Sequence, residues 1–305
     1  MKQTLLPLLI FLSCACTSSE DAQKTNGPVE VVSDELFSYS AADARLEVLD
    51  SGFQWTEGPT WSTALNGLLF SDIPVNRIFL CTEERGTQIY LDSAGYTVDV
   101  PRGGELGSNG LFIDSYGHLW LCQHGNRQIA RMACDLHSTE ANFIGLATAW
   151  NSKKLNSPND LCTDSLGNIY FTDPPYGLEQ QMEDPTKEIT FQGVYRVDAL
   201  GQVVLLDSTL SRPNGIGFSP DQSELYVANS DPQDARWVAY DMHDSTFATK
   251  RVIRDETVRV GAENPGLPDG FKVHSSGMLF ATGPGGVFVM KPSGELLGLI
   301  RTGVP

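Results

Sequence analysis

The sequence predicts an all-β fold, a six-bladed β-propeller with an incomplete last blade, occupying residues 35–305. Three observations lead there. One pattern recurs five times: a polar residue, usually followed by Gly, then a short apolar strand, a turn and a second apolar strand. The polar leads are Glu57, Asn109, Asn159, Asn214 and Asp269, spaced 52, 50, 55 and 55 residues apart. The apolar stretches have strand length and period, and no segment shows a convincing helical period. A repeat of about fifty residues with strands of this kind is the signature of four-stranded propeller blades, with an all-β sandwich as the competing architecture.

The elements follow in order. Lys2, the apolar run Leu5 to Leu12 and the sequence Ser13-Cys14-Ala15-Cys16 form a short export signal over residues 1–16. Its apolar core is too short to span a bilayer. A Cys after a short apolar core and a small residue resembles a bacterial lipoprotein cleavage site, with Cys16 as the lipid anchor and Cys14 as the alternative. An ordinary secretory signal is the competing reading. Residues 17–34, beginning with the polar run Thr17 to Asp21, form a flexible linker. The expectation is an exported lipoprotein of a bacterial envelope, periplasmic or on the cell surface, touching the membrane only through its N-terminal lipid.

The first repeat pairs Glu57-Gly-Pro-Thr-Trp61 with Gly67-Leu-Leu-Phe-Ser-Asp72, and the second pairs Asn109-Gly-Leu-Phe-Ile-Asp114 with Gly117-His-Leu-Trp-Leu-Cys122. The third joins Asn159-Asp-Leu-Cys-Thr-Asp164 to Gly167-Asn-Ile-Tyr-Phe-Thr-Asp173, and the fourth joins Asn214-Gly-Ile-Gly-Phe-Ser219 to Glu224-Leu-Tyr-Val-Ala-Asn229. The fifth joins Asp269-Gly-Phe-Lys-Val-His274 to Gly277-Met-Leu-Phe-Ala-Thr282. Gln128 to Met132, Gly193 to Val197 and Trp237 to Tyr240 read as third strands. A sixth lead would fall near position ~320 at this spacing. The segment Gly294 to Gly303 therefore reads as the outer part of a blade without a successor, and the chain before Glu57 as a partial cover for the gap.

Composition removes several function classes. Twenty-one basic against 38 acidic residues leave a formal charge of −17, which repels phosphate backbones and excludes nucleic acid as a partner. Beyond the signal lie Cys81, Cys122, Cys134 and Cys162, with no Cys-x-x-Cys pair for a zinc ribbon or a thioredoxin-like site. Cys122 and Cys162 fall in apolar strand patterns and read as buried thiols. The chain carries no Gly-x-Ser-x-Gly elbow, phosphate-binding loop or dinucleotide fingerprint.

The first strand of each propeller blade lines the central channel, so the five leads fall in one ring at one end of it. All five offer an oxygen, and Glu57 and Asp269 are carboxylates. Such a set suits a hard divalent cation, calcium above all, whereas zinc prefers His or Cys. The competing reading is that Asn and Asp at these places cap turns or take unusual backbone angles.

The stretches Glu57-Gly-Pro-Thr-Trp61, His124-Gly-Asn-Arg127, Ser157-Pro-Asn-Asp160, Phe171-Thr-Asp-Pro-Pro-Tyr-Gly-Leu178, Arg212-Pro-Asn-Gly215 and Pro268-Asp-Gly270 resemble the senescence-marker-protein/gluconolactonase family of six-bladed propellers, in particular its bacterial gluconolactonase branch. The likeness covers about residues 50–305. It implies a single divalent metal, usually Ca2+ with Zn2+ or Mg2+ as other candidates, held here by Glu57, Asn159, Asn214 and Asp269. It also implies opening of a sugar lactone, a small-molecule substrate, by metal polarisation of the carbonyl and attack of water.

Asp269 is the expected catalytic residue, as general base or as nucleophile. Asn109, His124 and Tyr176 are the expected substrate-binding residues. His124 reads equally as a loop residue satisfied by backbone, and Tyr176 as a packed turn aromatic. A hydrolase of other esters or organophosphates on the same ring, and a non-catalytic sugar-binding envelope propeller, are the alternative functions.

Overall fold

Each repeat folds as a four-stranded antiparallel blade whose lead segment is the innermost strand, in a computed structural model that describes residues 29–41, 44–243 and 245–303. The signal peptide, Cys16 and the first part of the linker lie outside the described residues. The first blade runs from Thr56–Ser62 through Gly67–Asp72 and Arg77–Thr82 to Gly86–Asp92. The second uses Ser108–Ile113, Leu119–Gln123, Gln128–Met132 and Phe143–Ala147, and the third Leu161–Thr163, Ile169–Asp173, Gly193–Val197 and Val203–Asp207. Pro213–Phe218, Glu224–Asp231, Asp234–His243 and Thr246–Asp255 form the fourth; Phe271–Val273, Leu279–Gly283, Gly286–Met290 and Leu296–Ile300 form the fifth.

The strand patterns follow burial. Second strands are covered on both faces, so Gly67–Asp72 and Ile169–Asp173 are buried at every residue and read as near-continuous apolar runs. The outermost strand of the first blade, Gly86–Asp92, shows water one face and is mostly polar. Successive blades meet through apolar clusters. Leu69, Ile78 and Leu91 of the first meet Leu111, Leu119 and Leu121 of the second. Tyr226, Trp237 and Ala239 of the fourth meet Leu279, Phe288 and Leu299 of the fifth. Cys122 and Cys162 are buried thiols as expected, and the four described cysteines are free. Helix among the described residues is limited to three short 3₁₀ turns, Asp34–Ser38, Gln181–Glu183 and Thr257–Arg259, so no helix there is long and apolar enough to cross a membrane.

The described residues form five blades, one for each lead, and the sixth that the repeat spacing predicts as incomplete is not among them. The N-terminal chain deals with the faces this leaves. Val29–Val31, inside the stretch read as linker, adds a fifth strand to the last blade by pairing antiparallel with Leu296–Ile300. The turn that follows buries Leu36 completely among Met278, Val287, Val289 and Leu297, with Tyr39 and Leu46 packed on the same cluster. On the outer face of the first blade, Phe53 packs edge-on against Phe70 and Phe79, which stack on each other at 5.6 Å. Residues 29–41 and 44–55 thus cover an apolar face of the fifth blade and one of the first.

Candidate active site

The five leads converge because each innermost strand touches the next. Gly58, at φ +61°, lies so close to Asn109 that a Cβ there would run into the Asn109 carbonyl oxygen. Gly215 stands in the same relation to the carbonyl oxygen of Asp269. The Gly110 N–H donates to Asn159 O at 2.7 Å. Hydroxyls on the second strands reinforce the ring: Ser71 Oγ donates to Asn109 O at 2.9 Å and Thr172 Oγ1 to Asn214 O at 2.6 Å. On the fifth blade both devices change. Gly270 faces open space, and Thr282 Oγ1 turns to its own blade's Gly270 O at 2.7 Å.

Asn109, Asn159 and Asn214 are 6%, 3% and 4% exposed, and none is among the residues with positive φ. That argues against the turn reading for these three, since buried amides in ordinary backbone serve no exposed turn. Glu57 and Asp269 stand half-buried beside them. Burial and the charge of Asp269 raise the Glu57 carboxyl well above its ordinary value, against a hydrogen bond from Trp55 Nε1 at 3.1 Å. Burial pushes Asp269 up to about 6, even though the Gly270 N–H at 3.0 Å and the Asn214 amide both donate to it. The charged groups that raise this pair are acidic: each other, Glu105 and Asp160.

Tyr176 adjoins the same group. Burial beside Asp269 holds its hydroxyl well above the usual phenol range, and the neighbouring Ser230 and Asn214 oppose that. The structure therefore brings Glu57, Asp269, Asn214 and Tyr176 together, with Asn109 and Asn159 in the same ring. His124 enters indirectly. It is fully buried, with Nδ1 3.0 Å from Glu105 Oε2 and Gly177 packed on its ring. Arg102 ties this wall together by donating to the carbonyls of Gly125 and Gly177.

Asp160 and Glu105 are site residues that the sequence reading passed over. Asp160 occupies the place that is Gly in the other four repeats. Its Oδ1 accepts the Leu161 N–H at 2.9 Å and its Oδ2 the Ile216 N–H of the next blade at 3.3 Å. Burial raises its carboxyl, and nearby Lys272 opposes that. The broken repeat was the available signal. Glu105 sits in an irregular loop and had none.

No group of three or more His, Cys, Asp or Glu side chains with metal-holding geometry occurs among the described residues. Two half-buried carboxylates that repel each other, flanked by amide oxygens, nevertheless make a donor set that fits a hard divalent cation.

Comparison with known proteins agrees with this architecture. Residues 55–305 match the family described as SMP-30/Gluconolactonase/LRE-like region. A gluconolactonase of Zymomonas mobilis is 37% identical over 296 residues, covering 93% of this chain and 82% of that protein. Among solved structures, a gluconolactonase from Xanthomonas campestris superposes with a TM-score of 0.75 at 28% identity, covering 96% of this chain and 89% of the other. A regucalcin from Agrobacterium tumefaciens, described as a calcium-binding protein, shares the fold at TM-score 0.60 and 18% identity, covering 82% of this chain and 75% of its own. The ring of leads, the propeller that builds it and the match across residues 55–305 place the chain in the SMP-30/gluconolactonase family.

Proposed function

We propose that the protein is a metal-dependent hydrolase that opens a sugar lactone of the gluconolactone type. The observation that carries this reading is the half-buried Glu57–Asp269 pair, with Asn214 and Tyr176 beside it. A scaffold or simple sugar-binding propeller has no use for two mutually repelling, half-buried carboxylates. Glu57, Asn159, Asn214 and Asp269 would hold the ion, with calcium favoured by their oxygen-only chemistry. A bound divalent cation supplies Lewis-acid polarisation of the lactone carbonyl and charge stabilisation of the tetrahedral oxyanion.

The chain's own residues do the rest. Asp269 accepts a proton from the attacking water as the water oxygen bonds to the carbonyl carbon. It returns the proton to the ring oxygen as the acyl C–O bond breaks, so the product is the open hydroxy acid. The Asn214 amide pins the carboxylate for this exchange, and the Tyr176 hydroxyl beside it meets a substrate hydroxyl. Asn109 offers a second polar contact from the ring. His124 supports binding through Glu105, whose carboxylate it anchors.

The test is hydrolysis of D-glucono-δ-lactone followed by pH-stat, with the spontaneous rate subtracted. We expect activity that is lost in EDTA and recovered with calcium, and a fall of at least about a hundredfold in kcat for Asp269→Asn with the fold retained. A rate equal to the spontaneous one, or activity indifferent to EDTA, overturns the reading.

A further inference from the structure

A cavity of about 390 Å3, open to solvent on one side, begins at Trp55, the residue whose indole N–H holds Glu57. Its walls are Trp55, Pro232, Val260, Pro265 and Leu267, with Asn264 among the few polar groups. Two of these walls are sequence neighbours of the site itself. Trp55 precedes Glu57 by two residues, and Leu267 precedes Asp269 by two. Continuity is direct on the Trp55 side, where the indole N–H is committed to Glu57 Oε1 at 3.1 Å and the ring is left to line the cavity. The opposite wall is anchored, because the Asn264 N–H donates to Gly261 O at 3.0 Å and the Gly285 N–H to Pro265 O at 2.8 Å.

We infer that this cavity is an apolar subsite for a nonpolar ring substituent of the lactone, so that the enzyme also accepts alkyl-substituted δ-lactones. The inference rests on the lactone-hydrolase reading for its substrate class. A polyhydroxylated arm placed here would give up hydrogen bonds to water with few partners to replace them. An alkyl arm gains from leaving water, by up to about fourfold in affinity for each fully buried methylene. Trp55 is then a positioning residue for Glu57 and a specificity wall at once.

The experiment compares kcat/KM along the series δ-valerolactone, δ-hexalactone, δ-octalactone and δ-decalactone. In parallel, calorimetry measures binding of 6-alkyl-piperidin-2-ones of matching chain length, lactams that resist hydrolysis. We expect both quantities to rise by about twofold to fourfold per methylene over the first carbons. The slope should flatten in Leu267→Asp and in Val260→Asp, and persist in Trp55→Phe, where an apolar wall remains and kcat falls. A flat series in the unaltered protein, or a slope unchanged in both Asp variants, overturns the subsite. If the lactam slope is present but no lactone is opened, the hydrolase reading fails and the subsite stands. If gluconolactone is opened while both series are flat, the subsite fails and the hydrolase reading stands.

Discussion

At the scale of single residues, the carboxylate pair has a measurable signature. The folded protein holds Glu57 well above its ordinary 4.5 and Asp269 at about 6, above its ordinary 3.8. The folded state therefore binds more protons than the unfolded chain from about pH 4 upward through that window, so stability contributed by this pair falls as pH rises. Thermal unfolding in EDTA should show a larger drop in Tm from pH 5 to pH 7.5 for the unaltered protein than for Glu57→Gln, by about 2 °C or more. Added calcium at pH 7.5 should raise the Tm by mass action on the folded state. Equal drops in the two proteins would remove the repulsion from the account. The sequence named both carboxylates from their places in the repeat. It did not show that Asn214 and Tyr176 stand beside Asp269, because those residues are 38 or more positions apart and meet only across blades.

At the scale of elements, the ring is assembled by close contact of innermost strands, and the lead-plus-Gly pattern records it. Gly58→Ala would place a methyl against the Asn109 carbonyl at a backbone angle that favours Gly. It should cost about 1–3 kcal/mol, read as a lower urea midpoint. Gly270→Ala, whose Cβ meets open space, should stay within about 0.5 kcal/mol. Similar losses at both positions would contradict the contact argument. The third repeat shows the same logic by exception, since Asp160 replaces Gly and reaches the Ile216 N–H across the blade boundary with its side chain.

At the scale of the whole molecule, the N-terminal cover is the distinguishing feature. Apolar clusters join each described blade to the next, while residues 29–41 and 44–55 cover faces of the last and first blades. Leu36 is the anchor of that cover on the fifth blade. Leu36→Ala should cost about 2–5 kcal/mol, because a fully buried side chain leaves a cavity among Met278, Val287, Val289 and Leu297. An unfolding midpoint unchanged by the substitution would show that this segment does not hold the last blade. An ion pair between Arg301 and Glu30 at 2.8 Å lies along the same edge and is exposed enough to add little.

The sequence alone determined the propeller class, the innermost strands, the third strands at Gln128–Met132 and Gly193–Val197, and the ring of oxygen donors. These were legible because the inner strands read as short apolar runs and blades repeat at nearly constant length, so one-dimensional spacing maps onto three-dimensional position. Tertiary structure alone decided that Val29–Val31 pairs with the last blade, that Leu36 packs on the fifth blade and Phe53 on the first, and that Glu105 and His124 form one wall of the site. Irregular loops carry no period from which such contacts can be read. The energy of a buried charge depends on neighbours that the chain brings together only when it closes on itself.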